Sequence, residues 1–216
     1  MKKKLLVIAI AIVVVFSITI TALAIADAEI LYSLGLRSKE AREDTSGDIA
    51  ATYKDRPILM SRVTEELRIN ELKDEALRDK NLTEKRAADL IIINMILREE
   101  AEAQGLGAAE ADVRESMELL RKNAEEFPEA AAAIEAYCEG RGITVEDYWR
   151  ELEEQLPGQI ARGNLAKKYY EEYYKTNGID PQSLTSEDLE KRNKSYEDYG
   201  FSLLKQHEKD IVYFIE

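Results

Sequence analysis

Ile211-Val212-Tyr213-Phe214-Ile215, near the end of the sequence, decides the fold. It is an unbroken run of β-branched, aromatic and aliphatic residues, the pattern of a buried strand. A lone strand of this kind leaves its main chain unpaired and invites aggregation, so it needs a partner. Elsewhere the sequence offers one clear strand region. Ile49 to Tyr53 reads as a short strand, Lys54-Asp55-Arg56-Pro57 as a turn, and Ile58-Leu59-Met60 as a second extended stretch. Asp and Pro occupy turns for specific backbone reasons. The two regions are expected to meet in a small sheet with helices packed around it, which makes the chain a mainly α protein.

The residues between them are helical in pattern. Ser61 can cap a first helix running to about Asp79. Thr83 caps the next, which runs to Gln104 with Gly105 as its natural stop. Leu90 to Leu97 is apolar at every position except Asn94, so this helix is expected to lie at the centre, surrounded by the others. A helix from about Ala109 to Glu125 carries Val113, Met117 and Leu120 on one face. Pro128 opens an alanine-rich helix to Glu139, ended by Gly140 and Gly142. Thr144, followed by Glu146 and Asp147, starts a long helix with Trp149, Leu152, Leu156 and Ile160 at helical spacing. Pro157-Gly158 is expected to kink it, and Asn177-Gly178 to stop it. It carries Tyr169, Tyr170, Tyr173 and Tyr174, which read either as a contact patch or as the grip on a last helix, capped by Thr185 or Ser186 and running to about Lys209.

At the other end, Lys2-Lys3-Lys4 precedes a run from Leu5 to Ala26 without a charge. Such a run is long enough to cross a bilayer, which takes roughly 20 residues, and the lysines hold its start in the cytoplasm. It reads as a single-span anchor. Ala22-Leu23-Ala24 and Ala24-Ile25-Ala26 also suit signal peptidase, so secretion after cleavage is the alternative. Either reading puts residues 27–216 outside the cytoplasm. Residues 27–48, mixed and polar and ending in Asp44-Thr45-Ser46-Gly47-Asp48, read as a tether. Residues 49–216 form the folded domain.

Composition narrows the chemistry. A net charge of −13 over 216 residues argues against nucleic acid as a partner. Cys138 is the only cysteine, so no internal disulfide forms, and its flanks suit a small buried thiol. The single histidine, His207, sits in a charged run and reads as a solvated helix residue. The sequence carries no metal-ligand constellation, no phosphate-cradling glycine loop and no nucleophile elbow. Adjacent acids such as Glu99-Glu100 and Glu153-Glu154 read as helix surface. No cofactor is expected, and no enzyme.

The order of elements resembles the N-terminal chaperone module of the SurA/PrsA-type foldases. In that family a short strand, a turn and a second strand come first; here they read Ala51-Thr52-Tyr53-Lys54-Asp55-Arg56-Pro57-Ile58. The family's apolar helix ending in glutamate-alanine-x-x-x-glycine matches the stretch from Leu90 through Glu100-Ala101 to Gly105. Its next, acidic-starting helix matches Ala111-Asp112-Val113-Arg114-Glu115-Ser116-Met117. Its glycine-hydrophobic-threonine phrase matches Gly142-Ile143-Thr144-Val145-Glu146-Asp147-Tyr148. The resemblance covers about residues 50–176. Lys54-Asp55 replaces the family's usual asparagine-glycine turn. Only Gly178 to Leu184 fills the place where the family often inserts a parvulin domain.

The resemblance implies a chaperone that holds unfolded or newly exported polypeptides without ATP and without prolyl isomerase activity. The alternative is an adaptor dedicated to one cell-envelope or secretion partner. The residues that would line a peptide-binding cleft are Met117, Leu120, Phe127, Tyr137, Tyr148, Trp149, Leu152 and Leu156, because Met and aromatic side chains adapt to many partners. Packing in an ordinary core is the competing reading for the same set.

Overall fold

A computed structural model describes residues 28–44, 47–72 and 78–215. In chain order the elements are α1 (Ala28–Asp44), β1 (Ile49–Tyr53), β2 (Arg56–Leu59), α2 (Met60–Leu72), α3 (Glu84–Ala103), α4 (Glu110–Glu126), α5 (Pro128–Arg141), α6 (Val145–Asn177), α7 (Ser186–Gln206), a 3₁₀ turn (Glu208–Asp210) and β3 (Ile211–Tyr213). The fold is mainly helical with one small antiparallel sheet. The apolar run 5–26 lies outside the described residues.

The two strand regions do pair. The sheet order is β2-β1-β3, so the first strand sits between its hairpin partner and the last strand. Ala51 faces Tyr213, Thr52 faces Val212 and Tyr53 faces Ile211. Two further bonds extend the seam: Lys54 N–H donates to the Asp210 carbonyl at 2.9 Å, and Phe214 N–H to the Ala50 carbonyl at 2.9 Å. The terminal strand is shorter than its five-residue apolar run. It also alternates: Ile211 and Tyr213 are half-buried, whereas Val212 and Phe214 are 52 % and 62 % exposed. It covers the core with one face only, so the fully buried strand expected from the sequence does not form.

The hairpin turn places two non-glycine residues in backbone that such residues seldom take. Lys54 and Asp55 both take left-handed backbone, with φ of 49° and 62°. Two consecutive left-handed residues match the twist of the flanking strands, which is why asparagine and glycine favour such turns.

Caps start three helices where the sequence put them, whereas α2 begins at Met60 and Ser61, expected as its cap, lies inside it. The Thr83, Thr144 and Thr185 side chains accept from Arg86, Asp147 and Asp188 N–H, starting α3, α6 and α7. Gly142 and Gly178, at φ 72° and 65°, end α5 and α6. Helix α3 is the central one: Ile92, Ile93, Ile96 and Leu97 are buried against Tyr53, Ile58, Val63, Leu165 and Leu203. Helix α6 runs through Pro157 without interruption, and at 33 residues it is about 50 Å long. Its second half belongs to this main core. Its first half packs in a second core, where Met117, Ile134, Cys138, Trp149 and Leu156 meet.

Three expectations need correction. Residues 27–48 are no tether: residues 28–44 form α1, which lies along α5 and against α2. Low apolarity hides this helix in the sequence, because its buried stripe is only Leu31, Gly35, Ser38 and Ala41. Gly140 does not end α5; it lies inside the helix, opposite Gly35 of α1. His207 is half-buried, 32 % exposed, rather than fully solvated. Its ring stands edge-on to Tyr53 at 5.8 Å, and its Nδ1 lies 3.3 Å from Asp210.

Candidate functional site

The structure divides the sequence-chosen residues sharply. Met117, Trp149 and Leu156 are buried in the second core, and Leu120 is half-buried against it. Phe127 is 54 % exposed at the corner between α4 and α5, outside that cluster. Tyr137, Tyr148 and Leu152 have a double role. They pack on the core with one side and line an open cleft of about 170 Å³ with the other.

The remaining cleft wall is polar and was not legible as a site. Arg42 comes from the last turn of α1, and Arg62, Glu65, Glu66 and Ile69 from α2. Arg141 comes from α5, and Glu151, Gln155 and Gln159 from α6. Helical spacing explains the α6 wall: positions 148, 152, 155 and 159 fall on one face. That face could be read from the sequence. Its meeting with α1 and α2 could not.

Arg141 organises the floor. Only 7 % exposed, it bonds Glu151 through Nη1 at 2.6 Å and stacks over Tyr137, 5.8 Å from the ring centre. Its Nε finds no hydrogen-bond partner among the described residues. Tyr137 and Tyr148 meet edge to face at 6.1 Å, and Tyr148 meets Trp149 the same way at 5.2 Å. Burial pushes the Tyr137 and Tyr148 hydroxyls up, so both stay neutral donors at any ordinary pH. Burial likewise pushes the Cys138 thiol up, as suits a packing group rather than a nucleophile.

The long helix's tyrosines serve the last helix instead. Tyr169 stacks on Tyr199 at 5.0 Å and donates to Ser195; Tyr170 meets Tyr196. Arg192 lies 4.1 Å over the Tyr170 ring and bonds the Tyr174 hydroxyl at 2.7 Å. These contacts hold α7, and through it β3, against α6.

A second polar cluster lies at the hairpin. Glu99 of α3 accepts from the Tyr53 hydroxyl at 2.8 Å, from Lys54 at 2.8 Å and from Arg56. Burial pushes its carboxyl up, but the bonds from Lys54, Tyr53 and Arg56 outweigh burial and hold it below the usual range. The cluster ties the left-handed turn to the central helix. Among the described residues no group of acidic, histidine or cysteine side chains is placed to hold a metal ion.

Compared with protein-family models, with curated proteins and with solved structures, the chain matches none.

Proposed function

We propose that the domain holds polypeptide segments, as an ATP-independent chaperone tethered at, or released from, the outer face of a membrane. The observation that carries this reading is the make-up of the cleft. Its floor is Tyr137, Tyr148 and Leu152, and its walls carry arginines, glutamates and two glutamines. Tyrosine supplies contact area with a polar tip. Glutamine amides both donate to and accept from peptide groups. Walls of both charge signs accommodate segments of either sign, so recognition is broad and shallow rather than tuned to one ligand. The hollow is less greasy than the family resemblance implied, and binding there combines modest apolar burial with exchangeable polar contacts.

The test is aggregation of a chemically unfolded secreted protein, with the full chain held in lipid nanodiscs. Aggregation falls at several-fold molar excess, and Leu152→Glu weakens the effect. Undiminished aggregation refutes the proposal. A pull-down that returns one stoichiometric partner, rather than a diffuse set of secreted proteins, favours the adaptor instead.

A further inference from the structure

The small sheet has two unlike edges. β1 lies between β2 and β3, so each outer strand has one side without a strand partner. Lys54 N–H bonds the Asp210 carbonyl and Phe214 N–H the Ala50 carbonyl, so the main chain of residues 210, 212 and 214 faces β1. The main chain of Ile211 and Tyr213 therefore faces away from it. The Ile211 N–H is taken up by the Glu208 carbonyl of the 3₁₀ turn. Among the described residues no main-chain group pairs with the Tyr213 N–H or carbonyl. On the other side of the sheet the same alternation turns Pro57 outward, because Thr52, opposite it, faces β3. Proline has no N–H, and on an outer strand it guards against unwanted pairing. The β2 edge is closed in this way, and the β3 edge is not.

The face beside the open edge is apolar. Val212 and Phe214, two of the three most exposed large apolar side chains among the described residues, stand on the outer side of β3. A strand laid along β3 pairs with Tyr213 and covers both of them with alternate side chains. A second copy of this chain is a poor occupant. Three residues of main chain and two apolar side chains fall well short of the roughly 800 Å² per partner that a stable pair of folded proteins buries. A net charge of −13 on each copy also sets like against like. An unfolded polypeptide has the matching chemistry: its main chain is extended and carries its own unpaired donors and acceptors. A short contact suits a partner that must later be released.

Resting on the function proposed above, we infer that the free edge of β3 is a second client site, which takes an extended apolar segment as the fourth strand of the sheet. Main-chain pairing with Tyr213 gives affinity without regard to sequence. Val212 and Phe214 favour segments with an apolar residue at every second position, as in other strand additions. The acidic chain favours segments flanked by lysine or arginine. The site is separate from the cleft, none of whose lining residues belongs to the sheet.

The probe is a peptide of alternating valine and threonine closed by lysines, added to the full chain in nanodiscs. The readout is hydrogen exchange at the Tyr213 amide, resolved residue by residue. Without peptide this amide exchanges faster than those of Val212 and Phe214, which are bonded to β1. Saturating peptide slows it about tenfold or more. The same peptide N-methylated along its main chain gives no protection. Val212→Ser with Phe214→Ser, at exposed positions and with an unchanged urea midpoint, weakens the protection about tenfold, and Leu152→Glu in the cleft leaves it intact. An unprotected Tyr213 at millimolar peptide overturns the inference, as does equal protection by the N-methylated peptide. Loss of protection in Leu152→Glu but not in the double serine variant overturns it too. A Tyr213 amide protected without peptide, and released on dilution, makes a second copy the occupant and overturns the inference. A double serine variant that keeps an unfolded secreted protein soluble as well as the unmodified chain does overturns the inference and leaves the proposed function standing. Peptide pairing at Tyr213 in a chain that keeps no unfolded protein soluble supports the edge as a strand-binding site and overturns the proposed function.

Discussion

Adding one methyl at either glycine of the α1–α5 crossing tests how α1 is seated. A methyl on Gly35 stands 2.8 Å from the Arg141 nitrogen and 3.1 Å from the Gly140 carbonyl carbon, with the Tyr137 carbonyl oxygen nearer still. A methyl on Gly140 meets the Leu36 nitrogen and the Tyr32 carbonyl carbon at 2.9 Å. All of these atoms are main chain, so no rotamer change relieves the clash. Carbon-to-oxygen contacts between helices settle at roughly 3.3–3.6 Å, so the helices must part by about 1 Å. Overpacking of this kind costs about 1–3 kcal/mol. The ceiling is the docking energy of α1 itself, to which the fully buried Leu31 contributes roughly 1.5–3 kcal/mol. Either substitution alone therefore consumes most of the docking, and the pair falls well short of additive. Trypsin reads the result, because Arg37, Lys39 and Arg42 become cleavable when α1 lifts, and the rate follows the open population. With tenfold per 1.4 kcal/mol, a 2 kcal/mol loss speeds cleavage about thirtyfold. The double variant is cleaved only a few-fold faster than either single one. Unchanged cleavage in Gly35→Ala and Gly140→Ala refutes the close crossing. Fully multiplicative rates refute the shared ceiling.

Asp55→Gly should stabilise the domain. Left-handed backbone costs an L-residue roughly 1–2 kcal/mol, glycine's extra freedom when unfolded returns roughly 0.5–1, and the net gain of about 0.5–1 kcal/mol is read as a higher urea midpoint; a lower midpoint contradicts the turn geometry. Glu99 gives a pH dependence of known sign. Its folded pKa lies below the ordinary carboxylate value, so its contribution is complete above that value and is lost as pH falls through the folded one. Glu99→Gln is therefore less stable than the unmodified chain by about 1 kcal/mol near neutrality, discounted for a side chain 30 % exposed, and denaturant titrations find the gap narrowing as pH falls below the ordinary carboxylate range. Cys138, 3 % exposed and with its thiol pushed up, should react with iodoacetamide only as the second core opens. Labelling of the native chain at the rate of a free thiol contradicts that burial.

What the sequence made legible is what depends on local chemistry. Thr83, Thr144 and Thr185 announce helix starts because a hydroxyl before acidic residues has one strong use there. Leu90 to Leu97 announces the central helix because no partly exposed element carries so much apolar surface. The closing of the sheet followed from the cost of unpaired strand edges. The misses share another cause. Nothing local distinguishes Gly140 in mid-helix from a helix stop, because its role is set by Gly35 of another helix. Glu99 looks like one of many surface acids until the hairpin delivers Tyr53, Lys54 and Arg56 to it. The cleft failed for the same reason. Its arginines, glutamates and glutamines are ordinary surface residues on separate helices, and only tertiary packing turns them toward one cleft.

This chain buries its helices in two different ways. The sheet, α3, α7 and the second half of α6 share large aliphatic and aromatic side chains, several of them wholly buried, and the Glu99 cluster fastens both strand ends to that core. Helix α1 has one large buried side chain, a glycine crossing, two part-buried hydrogen bonds to α2 (Ser38 to Glu65, and Arg68 to the Arg37 carbonyl) and ion pairs in water. Local opening begins where buried apolar contact is least, so amide exchange in residues 28–44 is expected to run ahead of exchange in residues 84–103, whose helix carries Ile92, Ile93, Ile96 and Leu97 in the main core. Hydrogen exchange on the full chain checks this order, and protection of 28–44 equal to that of 84–103 refutes it.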